Sequence, residues 1–480
     1  MKTLFMLFIL LLAAEGIAKG PATDGPIQRD LSFWEKLKAL LKVGDTYIYG
    51  DIDSYGLSWR SLGKASRFSW YGLRRKVRAE VKRSACQDFA CPGYIEELAK
   101  ITNARFAEAT RVDWLTDMPS AFEKRWSLID NAEESIYILT WGVYDDMTGT
   151  KLAEKILERL KSKPELDVRI IVDQKVALME RHRAVLQKIN EESQGKVKII
   201  HWHTPQYRVH AQHRKLMVVD GEHVMLGGAN LGDAYSHIAG DTHWKDADVY
   251  ILGRGIGAQA HAQFADIWND QIIENPLAAK LPKLDPIPAI EDGIIPMLLI
   301  DHNPGTSLRK ADHNILSAVY KLMADAKKTV DIENAYFILD PVMKDAIKKA
   351  VKRGVKVRIY TNSATSVDLP LLGGFVASSA RKAMSYGAEV YLKKGATLHS
   401  KYMVVDGEIA MMGSHNMHPR SQAMDGENVV VVFDKEISRV LQASFEEGLL
   451  EAFHPTKESQ IDSDKSLIDF VYGTLLFDHL

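Results

Sequence analysis

Two separate stretches of this 480-residue chain carry one pattern of chemically functional residues. The first, HRKLMVVDGEHVMLGGAN, runs from His213 to Asn230, and the second, HSKYMVVDGEIAMMGSHN, runs from His399 to Asn416. Each begins with His-x-Lys, has an aspartate five residues after the lysine, and ends in Gly-x-x-Asn. One such pattern could arise by chance in a chain with 16 histidines, whereas two copies with equal offsets indicate an internal repeat. The fold must therefore accommodate the same unit twice.

The residues that follow each lysine predict a β-strand. In the second copy this strand covers Tyr402 to Asp406, a short apolar run with β-branched residues. Residues two apart on a strand point to the same side, so His399 and Lys401 share one face. A Gly-Ser pair then ends the next strand and brings Asn416 near them. An imidazole, an ammonium group and a carboxamide in one place suit the handling of a phosphate ester.

Each copy contributes four candidate catalytic positions, and these are His213, Lys215, Asp220, Asn230, His399, Lys401, Asp406 and Asn416. The two aspartates lie at the far end of the predicted strand from the histidine. That position favours a structural role over a chemical one.

The segments around the two motifs repeat one order of elements. Strands and helices alternate in both. The first segment has predicted strands at 135–140, 168–172 and 197–202 and a helix at 152–160. The second has predicted strands at 329–333, 355–360 and 389–392 and a helix at 341–353. This alternation predicts an α/β fold built twice. Residues 276–296 hold five of the 16 prolines and form a linker between halves at 110–275 and 297–452. An N-terminal extension, 19–109, and a tail, 453–480, complete the chain.

The N-terminal residues 1–18 have the pattern of a secretory signal peptide. Lys2 is followed by an apolar run from Leu4 to Ala14 and by small residues suited to cleavage. An uncleaved anchor is the alternative. The two cysteines, Cys86 and Cys91, are expected to form a disulfide, because export leads to an oxidising compartment.

The formal net charge of -2 gives no global attraction to nucleic acid. Charge is unevenly distributed, however, since residues 60–83 contain nine basic residues and one acidic residue, with aromatic residues among and beside them: Trp59, Phe68, Trp70 and Tyr71. This stretch suits either contact with an anionic membrane surface or a solvated helix face, and both interpretations stay open.

The paired motifs resemble those of the phospholipase D superfamily, and the likeness runs from about Thr110 to about Ala452. Further details resemble its bacterial branch that includes the cardiolipin synthases: GGANLGDAY at 227–235, Thr361-Asn362-Ser363 followed by Asp368, and Pro419-Arg420-Ser421. His418 departs from that branch, which usually has aspartate there, and the stretch before Glu427 is atypical. The resemblance implies two pseudo-symmetric αβ sandwich halves with the active site at their interface.

The resemblance also implies residue roles. His213 is the expected nucleophile that forms a phosphohistidine, and His399 the expected general acid and base. The two lysines and two asparagines would surround the phosphate, with Gly228 and Ser414 supporting that pocket. Asp246 and Glu427 match the acidic positions that would hold the remote N–H of each imidazole, and Asp248 is the alternative to Asp246.

No metal or cofactor is implied, because two histidines supply both the nucleophile and the proton donor. His201, His203 and His210 precede the first motif, and lining of the substrate pocket or surface exposure is preferred over metal binding. The stretch Leu369 to Val376 is interpreted as an apolar loop that either admits an acyl chain or touches the bilayer, or else forms a buried connection.

The leading hypothesis is therefore an exported, periplasmic or secreted monomeric enzyme that acts on phospholipids at a membrane surface. Transfer of the phosphatidyl group to water would give phosphatidic acid, and transfer to an alcohol would be cardiolipin synthase-like. The alternative is a secreted nuclease of the same superfamily, which the net charge disfavours. A binding protein with an inactive site is a third class, disfavoured because all eight motif positions are intact.

Overall fold

The computed structural model describes residues 67–177, 182–204, 210–304 and 311–461. The predicted signal peptide and the apolar C-terminal segment 467–477, expected to be a packing helix, lie outside these residues.

The described helices are α1 (Arg67–Arg83), α2 (Tyr94–Thr102), α3 (Met118–Asn131), α4 (Met147–Ser162), α5 (Gln174–Ala177), α6 (Ala184–Glu192), α7 (Asp233–Ser236), α8 (Arg254–Glu274), α9 (Asn314–Asp325), α10 (Pro341–Lys352), α11 (Pro370–Met384), α12 (Pro419–Ala423) and α13 (Lys435–Leu450). The described strands are β1 (Arg105–Ala109), β2 (Arg111–Leu115), β3 (Ser135–Thr140), β4 (Asp167–Asp173), β5 (Lys198–Trp202), β6 (Ala211–Gln212), β7 (Leu216–Val219), β8 (His223–Gly227), β9 (Asp248–Leu252), β10 (Ile295–His302), β11 (Thr329–Asn334), β12 (Lys356–Asn362), β13 (Glu389–Lys393), β14 (Lys401–Val405), β15 (Ile409–Gly413) and β16 (Asp425–Val432).

The strands form two mixed sheets of matching topology. The first has the order β2-β9-β8-β7-β3-β4-β5, and the second has the order β1-β10-β16-β15-β14-β11-β12-β13. In both, three strands run parallel (β3-β4-β5 and β11-β12-β13), and the motif strand, β7 or β14, pairs antiparallel with the first of them. The prediction of an α/β fold built twice is confirmed.

The two sheets share one hydrophobic core. Side chains of the inner strands and of α8 and α13 pack into a single cluster, which includes Val218, Leu226 and Val249 from the first half and Val404, Met412 and Val430 from the second. The outer face of each sheet is covered by helices, which explains why the motif strands are continuous apolar runs rather than alternating ones. The halves are therefore held together by buried apolar surface on both sides of the interface.

The segment before the first half belongs structurally with the second. Helix α1 buries Trp70, Leu73 and Val77 in the core of the second half, where it packs against α9 and α10. The bonded pair Cys86–Cys91 follows α1, and the buried ammonium group of Lys321 on α9 donates to the backbone oxygen of Cys86.

The stretch from Leu369 to Val376 is not a loop, and that expectation was wrong. Helix α11 begins at Pro370, because the fixed φ of proline suits the first helical turn, and it continues through the glycines. A Cβ at Gly373 would lie 3.1 Å from the oxygen of Ala364, so this helix packs closely on the preceding loop. Phe375 and Val376 are buried.

Candidate active site

Backbone pairing between the halves places the two histidines. β6, directly before the first motif, pairs with the start of β16 in the second half, and the amide of His213 donates to the oxygen of Gly426 at 2.9 Å. In the mirrored contact, Lys245 of the first half bridges to Leu398, and the amide of His399 donates to the oxygen of Lys245 at 2.6 Å. Each half therefore fixes the backbone of the other half's histidine.

The carboxylates cross the interface in the same way. Nδ1 of His213 lies 3.0 Å from Oε1 of Glu427, and Nδ1 of His399 lies 2.7 Å from Oδ2 of Asp246. The acid that follows each motif thus contacts the histidine of the opposite motif. Asp248 instead forms a buried ion pair with Arg125 at 2.6 Å, so it is not a histidine partner.

Gly228 and Ser414, expected to support the phosphate pocket, contact these carboxylates instead. A Cβ at Gly228 would lie 2.0 Å from Oδ1 of Asp246, so only glycine leaves room for that carboxylate. At the equivalent position, Ser414 donates from Oγ to Oε2 of Glu427 at 2.5 Å, and Ser421 donates to Oε1 at 2.7 Å. The glycine at position 228 therefore leaves space for the carboxylate of Asp246, and the serine at position 414 hydrogen-bonds to that of Glu427.

The two lysines follow their histidines into the same buried place. Nζ of Lys215 donates to the oxygen of His213 at 2.6 Å, and Nζ of Lys401 lies 2.9 Å from Nδ1 of His399. Burial lowers the pKa of Lys215 to about 7 and that of Lys401 to about 8, against the pull of Glu427 and Asp246 respectively. An anionic ligand between them would restore both positive charges.

The asparagines of the two motifs are also buried. Asn230 donates from Nδ2 to the hydroxyl of Tyr235 at 2.9 Å. Within the described ranges, Oδ1 of Asn230 and Oδ1 of Asn416 have no hydrogen-bond partner.

Burial controls the ionisation of the histidines. It lowers the pKa of His213, and Glu427 opposes that effect. The pKa of His399 is lowered further below its usual value, because Lys401, Lys215 and His213 add to burial there. Burial acts to raise the pKa of Glu427, but the charge and hydrogen bond of His213 outweigh it and hold that pKa well below its usual range. Burial raises the pKa of Asp246 despite Lys401. Both rings are thus neutral near pH 7 in the free protein.

Asp220 and Asp406 lie away from this site. Each has a positive φ, 51° and 54°, at the turn after its motif strand. The carboxylate of Asp220 accepts the amides of residues 133–135, and that of Asp406 accepts the amides of residues 327–329. They organise the starts of β3 and β11, roughly 20 Å along the strand from the histidines. Two of the eight candidate positions, Asp220 and Asp406, are therefore not part of the site.

Aromatic side chains that the sequence interpretation did not single out surround His399. The rings of Tyr235, Trp244 and Tyr336 have centroids 5.1, 5.3 and 6.3 Å from its imidazole. Trp141 lies beside His213 with a centroid distance of 6.4 Å. An aromatic residue directly after a strand, as at Trp141, was the available signal.

His418, the departure from the family pattern, has a local function. Its Nδ1 accepts the amide of Ser421 at 3.1 Å and so caps α12, the task an aspartate performs at such a position. His201 and His203 lie at the end of β5, where their backbone oxygens accept from Asn275 and Gln271. Among the residues that the structure describes, no group of three or more His, Cys, Asp or Glu side chains could hold a metal ion.

None of the described helices is both long enough and apolar enough to cross a bilayer.

Two α/β halves that bring matching His-Lys-Asn sets to a shared interface define the phospholipase D class of enzymes. The chain belongs to the family described as "Cardiolipin synthase, PLD-like domain", whose model matches residues 126–268 and 319–449.

Curated relatives resemble the chain over most of its length. It is 26% identical over 362 residues to cardiolipin synthase 1 of Staphylococcus epidermidis, covering 74% of this chain and 71% of that protein. It is 27% identical over 365 residues to the cardiolipin synthase of Listeria welshimeri, covering 74% and 72%. The crystal structure of phosphatidylserine synthase from Haemophilus influenzae matches with a TM-score of 0.61 at 14% identity, covering 79% of this chain and 96% of that one. The last likeness shows the fold.

Proposed function

We propose that this chain is an exported phosphatidyl-transferring enzyme. It cleaves a phosphodiester bond of a phospholipid, holds the phosphatidyl group on one histidine, and passes that group to water or an alcohol. The observation that carries the proposal is the pair of crossed contacts, His213 with Glu427 at 3.0 Å and His399 with Asp246 at 2.7 Å. Together they give one interface two oriented imidazoles.

Nucleophilic attack on phosphorus requires an unprotonated imidazole nitrogen. Burial keeps both rings neutral, and a carboxylate at each Nδ1 favours the proton on Nδ1, which leaves Nε2 for phosphorus. For His399 this requires Lys401, which also lies 2.9 Å from Nδ1, to direct its hydrogens to other acceptors, and the oxygen of His399 is one of them. When Nε2 bonds to phosphorus, the ring becomes positively charged, and the carboxylate stabilises that charge. The phosphatidyl–histidine bond forms as the bond to the departing alkoxide breaks.

The second histidine supplies the proton that the alkoxide needs. It then removes a proton from the incoming water or alcohol, whose oxygen displaces histidine from phosphorus and restores the free enzyme. A neutral ring must first gain this proton, and the negative charge of the bound diester favours that gain by raising its pKa.

Charge on the non-bridging oxygens is neutralised by the buried lysines. Binding of an anionic diester raises the pKa of Lys215 from about 7 and that of Lys401 from about 8, so both ammonium groups are fully charged when the reaction proceeds. The amide groups of Asn230 and Asn416 add hydrogen-bond donors.

Two observations bear on the order of the histidines, and they point in opposite directions. The resemblance assigns attack to His213. The charge environment favours attack by His399, because its pKa is lowered further and a proton is therefore held more readily on His213. We propose His213 as the nucleophile.

Two features support export and membrane contact. The pattern of residues 1–18 supports export, and the Cys86–Cys91 bond suits an oxidising compartment. Helix α1 packs its apolar side on the second half and exposes basic side chains: Arg75, Lys76, Arg78, Lys82 and Arg83. These would attract the enzyme to anionic lipid head groups.

Product analysis tests the proposal. Purified enzyme is incubated with mixed phospholipids, with and without glycerol or phosphatidylglycerol, and the lipid products are separated. Phosphatidic acid, phosphatidylglycerol or diphosphatidylglycerol as a product supports phosphatidyl transfer and identifies the acceptor. No lipid product, together with cleavage of DNA, would overturn it in favour of a nuclease.

A further inference from the structure

Equivalent side chains at the ends of β4 and β12 hold the backbone just ahead of each histidine. The carboxylate of Asp173 accepts the amide of Gln212 at 2.7 Å. In the other half, Asn362 accepts the amide of Leu398 at 2.9 Å and donates to its oxygen at 2.8 Å. Gln212 and Leu398 each directly precede a histidine, so both side chains act one peptide away from the reacting ring.

Both groups are buried and fully engaged, so they are rigid supports. Asp173 is 1% exposed, and its second oxygen accepts the amide of Lys175 at 2.9 Å. Asn362 is 0% exposed, and it also donates to the oxygen of Ala335 at 2.9 Å while Ser366 donates to it at 2.8 Å. Among the described residues, neither side chain hydrogen-bonds to an imidazole.

The two halves differ at this position in a way that matters chemically. A carboxylate is an acceptor on both oxygens and suits two backbone N–H groups, as at Asp173. An amide has a donor and an acceptor side and suits a C=O together with an N–H, as at Asn362. Exchanging the two groups would therefore mismatch the second half, where a carboxylate would face two carbonyl oxygens.

We propose that Asp173 and Asn362 are positioning residues for His213 and His399, and that the carboxylate makes the backbone support of His213 sensitive to acid while the amide supporting His399 is not. The proposal rests on the proposed function in that both histidines act on the same phosphorus. Protonation of Asp173 places a hydroxyl where an acceptor is needed, so one backbone N–H loses its partner and the hold on Gln212 weakens.

The charges that face Asp173 determine the pH at which its carboxylate is protonated. Burial raises its pKa to about 6, and nearby Asp425 acts in the same direction. Lys175 and the amide of Gln212 oppose the effect. Asp173 therefore changes its charge in a mildly acidic range in which Asn362 cannot respond.

Isosteric exchange at each position tests the proposal. Asp173→Asn cannot titrate, and its amide leaves one of the two backbone N–H groups without an acceptor, as protonated Asp173 does. We therefore expect kcat near neutral pH to fall to about the value that the wild type reaches once Asp173 is protonated, and the step caused by Asp173 to be absent from the pH profile. Asn362→Asp should lower kcat about a hundredfold with little change in KM, because a misplaced ring affects the transition state more than binding. The matched control is Asp167→Asn, the same change at the opposite end of β4, which should leave the pH profile unchanged.

A second readout needs no turnover. The downfield Nδ1–H resonances of His213 and His399, assigned by substituting each ring, are followed by NMR between pH 5 and 8. In the wild type we expect a step in the His213 signal as Asp173 titrates. In Asp173→Asn that step should be absent and the signal should lie near its position in the wild type with Asp173 protonated, and Asn362→Asp should displace only the His399 signal.

The outcomes separate this proposal from the proposed function. Unchanged resonances in both variants, or an acid limb that Asp173→Asn leaves in place, would overturn the positioning roles. The predicted shifts in an enzyme that forms no lipid product would uphold positioning while the function fails.

Discussion

Replacing Glu427 by glutamine removes the charge that faces His213 while keeping the shape of the side chain. A carboxylate centred about 4 Å from an imidazolium stabilises it by about 4 kcal/mol at an effective dielectric constant near 20. A hydrogen bond to a charged group is worth about 1.5–3 kcal/mol and describes the same contact, so the two values are not added. Together these values bracket a fall in kcat of roughly 10 to 10³, with KM little changed.

A choice of substrates then shows which histidine is the acid. Kinetics are measured for Glu427→Gln and Asp246→Asn on a short-chain phosphatidyl ester and on its nitrophenyl analogue, whose leaving group departs without a proton. If His399 is the acid, the loss in Asp246→Asn should shrink by at least tenfold on the nitrophenyl substrate. The loss in Glu427→Gln should be similar on both, because attack by His213 is still required.

The opposite pattern, with relief only in Glu427→Gln, would reverse the two roles, as the charge environment favours. Losses below about threefold in both variants, with the fold intact by thermal unfolding, would refute the reasoning itself. In that case the crossed carboxylates do not stabilise charge during the reaction.

A tightly packed glycine, a buried imidazole and an exposed basic helix face each have a measurable consequence. Gly228→Ala places a Cβ 2.0 Å from the buried carboxylate of Asp246, so kcat should fall at least as far as in Asp246→Asn, measured on the same substrate. Burial lowers the pKa of His415 from 6.5 to about 4. Between these two pH values the unfolded chain binds a proton at this histidine and the folded protein does not. The free energy of unfolding should therefore fall by about 3 kcal/mol as the pH falls from 6.5 to 4. His415→Asn should flatten that part of the pH dependence in denaturant titrations, and an unchanged slope would contradict the assignment. The double substitution Arg75→Ser and Lys76→Ser should weaken binding to anionic vesicles roughly 30-fold, because each basic side chain near the surface contributes about 1 kcal/mol. Hydrolysis of a soluble short-chain substrate should stay unchanged. Equal losses in both assays would instead indicate a role in folding.

Local chemistry in the sequence was enough to predict the motif strands. The apolar run after Lys401 and the period of two along a strand place His399 and Lys401 together, and the structure keeps that arrangement. The structural role of Asp406 was also predictable, because this residue lies at the opposite end of the strand from His399. These features depend on residues within one short stretch.

The crossing of the carboxylates could not be predicted in the same way. Which histidine Asp246 contacts depends on how residue 245 bridges to Leu398 in the other half, about 150 residues later, and no local pattern encodes that pairing. The start of α11 was missed for a different reason. Two glycines after Pro370 suggested a loop, yet Gly373 packs so closely on Ala364 that the helix needs a glycine there.

The central claim is that both histidines act on one phosphorus and that one of them carries the phosphatidyl group. Rapid acid quenching of the enzyme with labelled substrate, followed by mass spectrometry of the peptides, measures this directly. The account predicts one labelled histidine per chain, on His213, and accumulation of that label in His399→Asn. Label on His399 alone would reverse the order, whereas label on both rings of one chain, or full turnover in either histidine variant, would contradict the shared site.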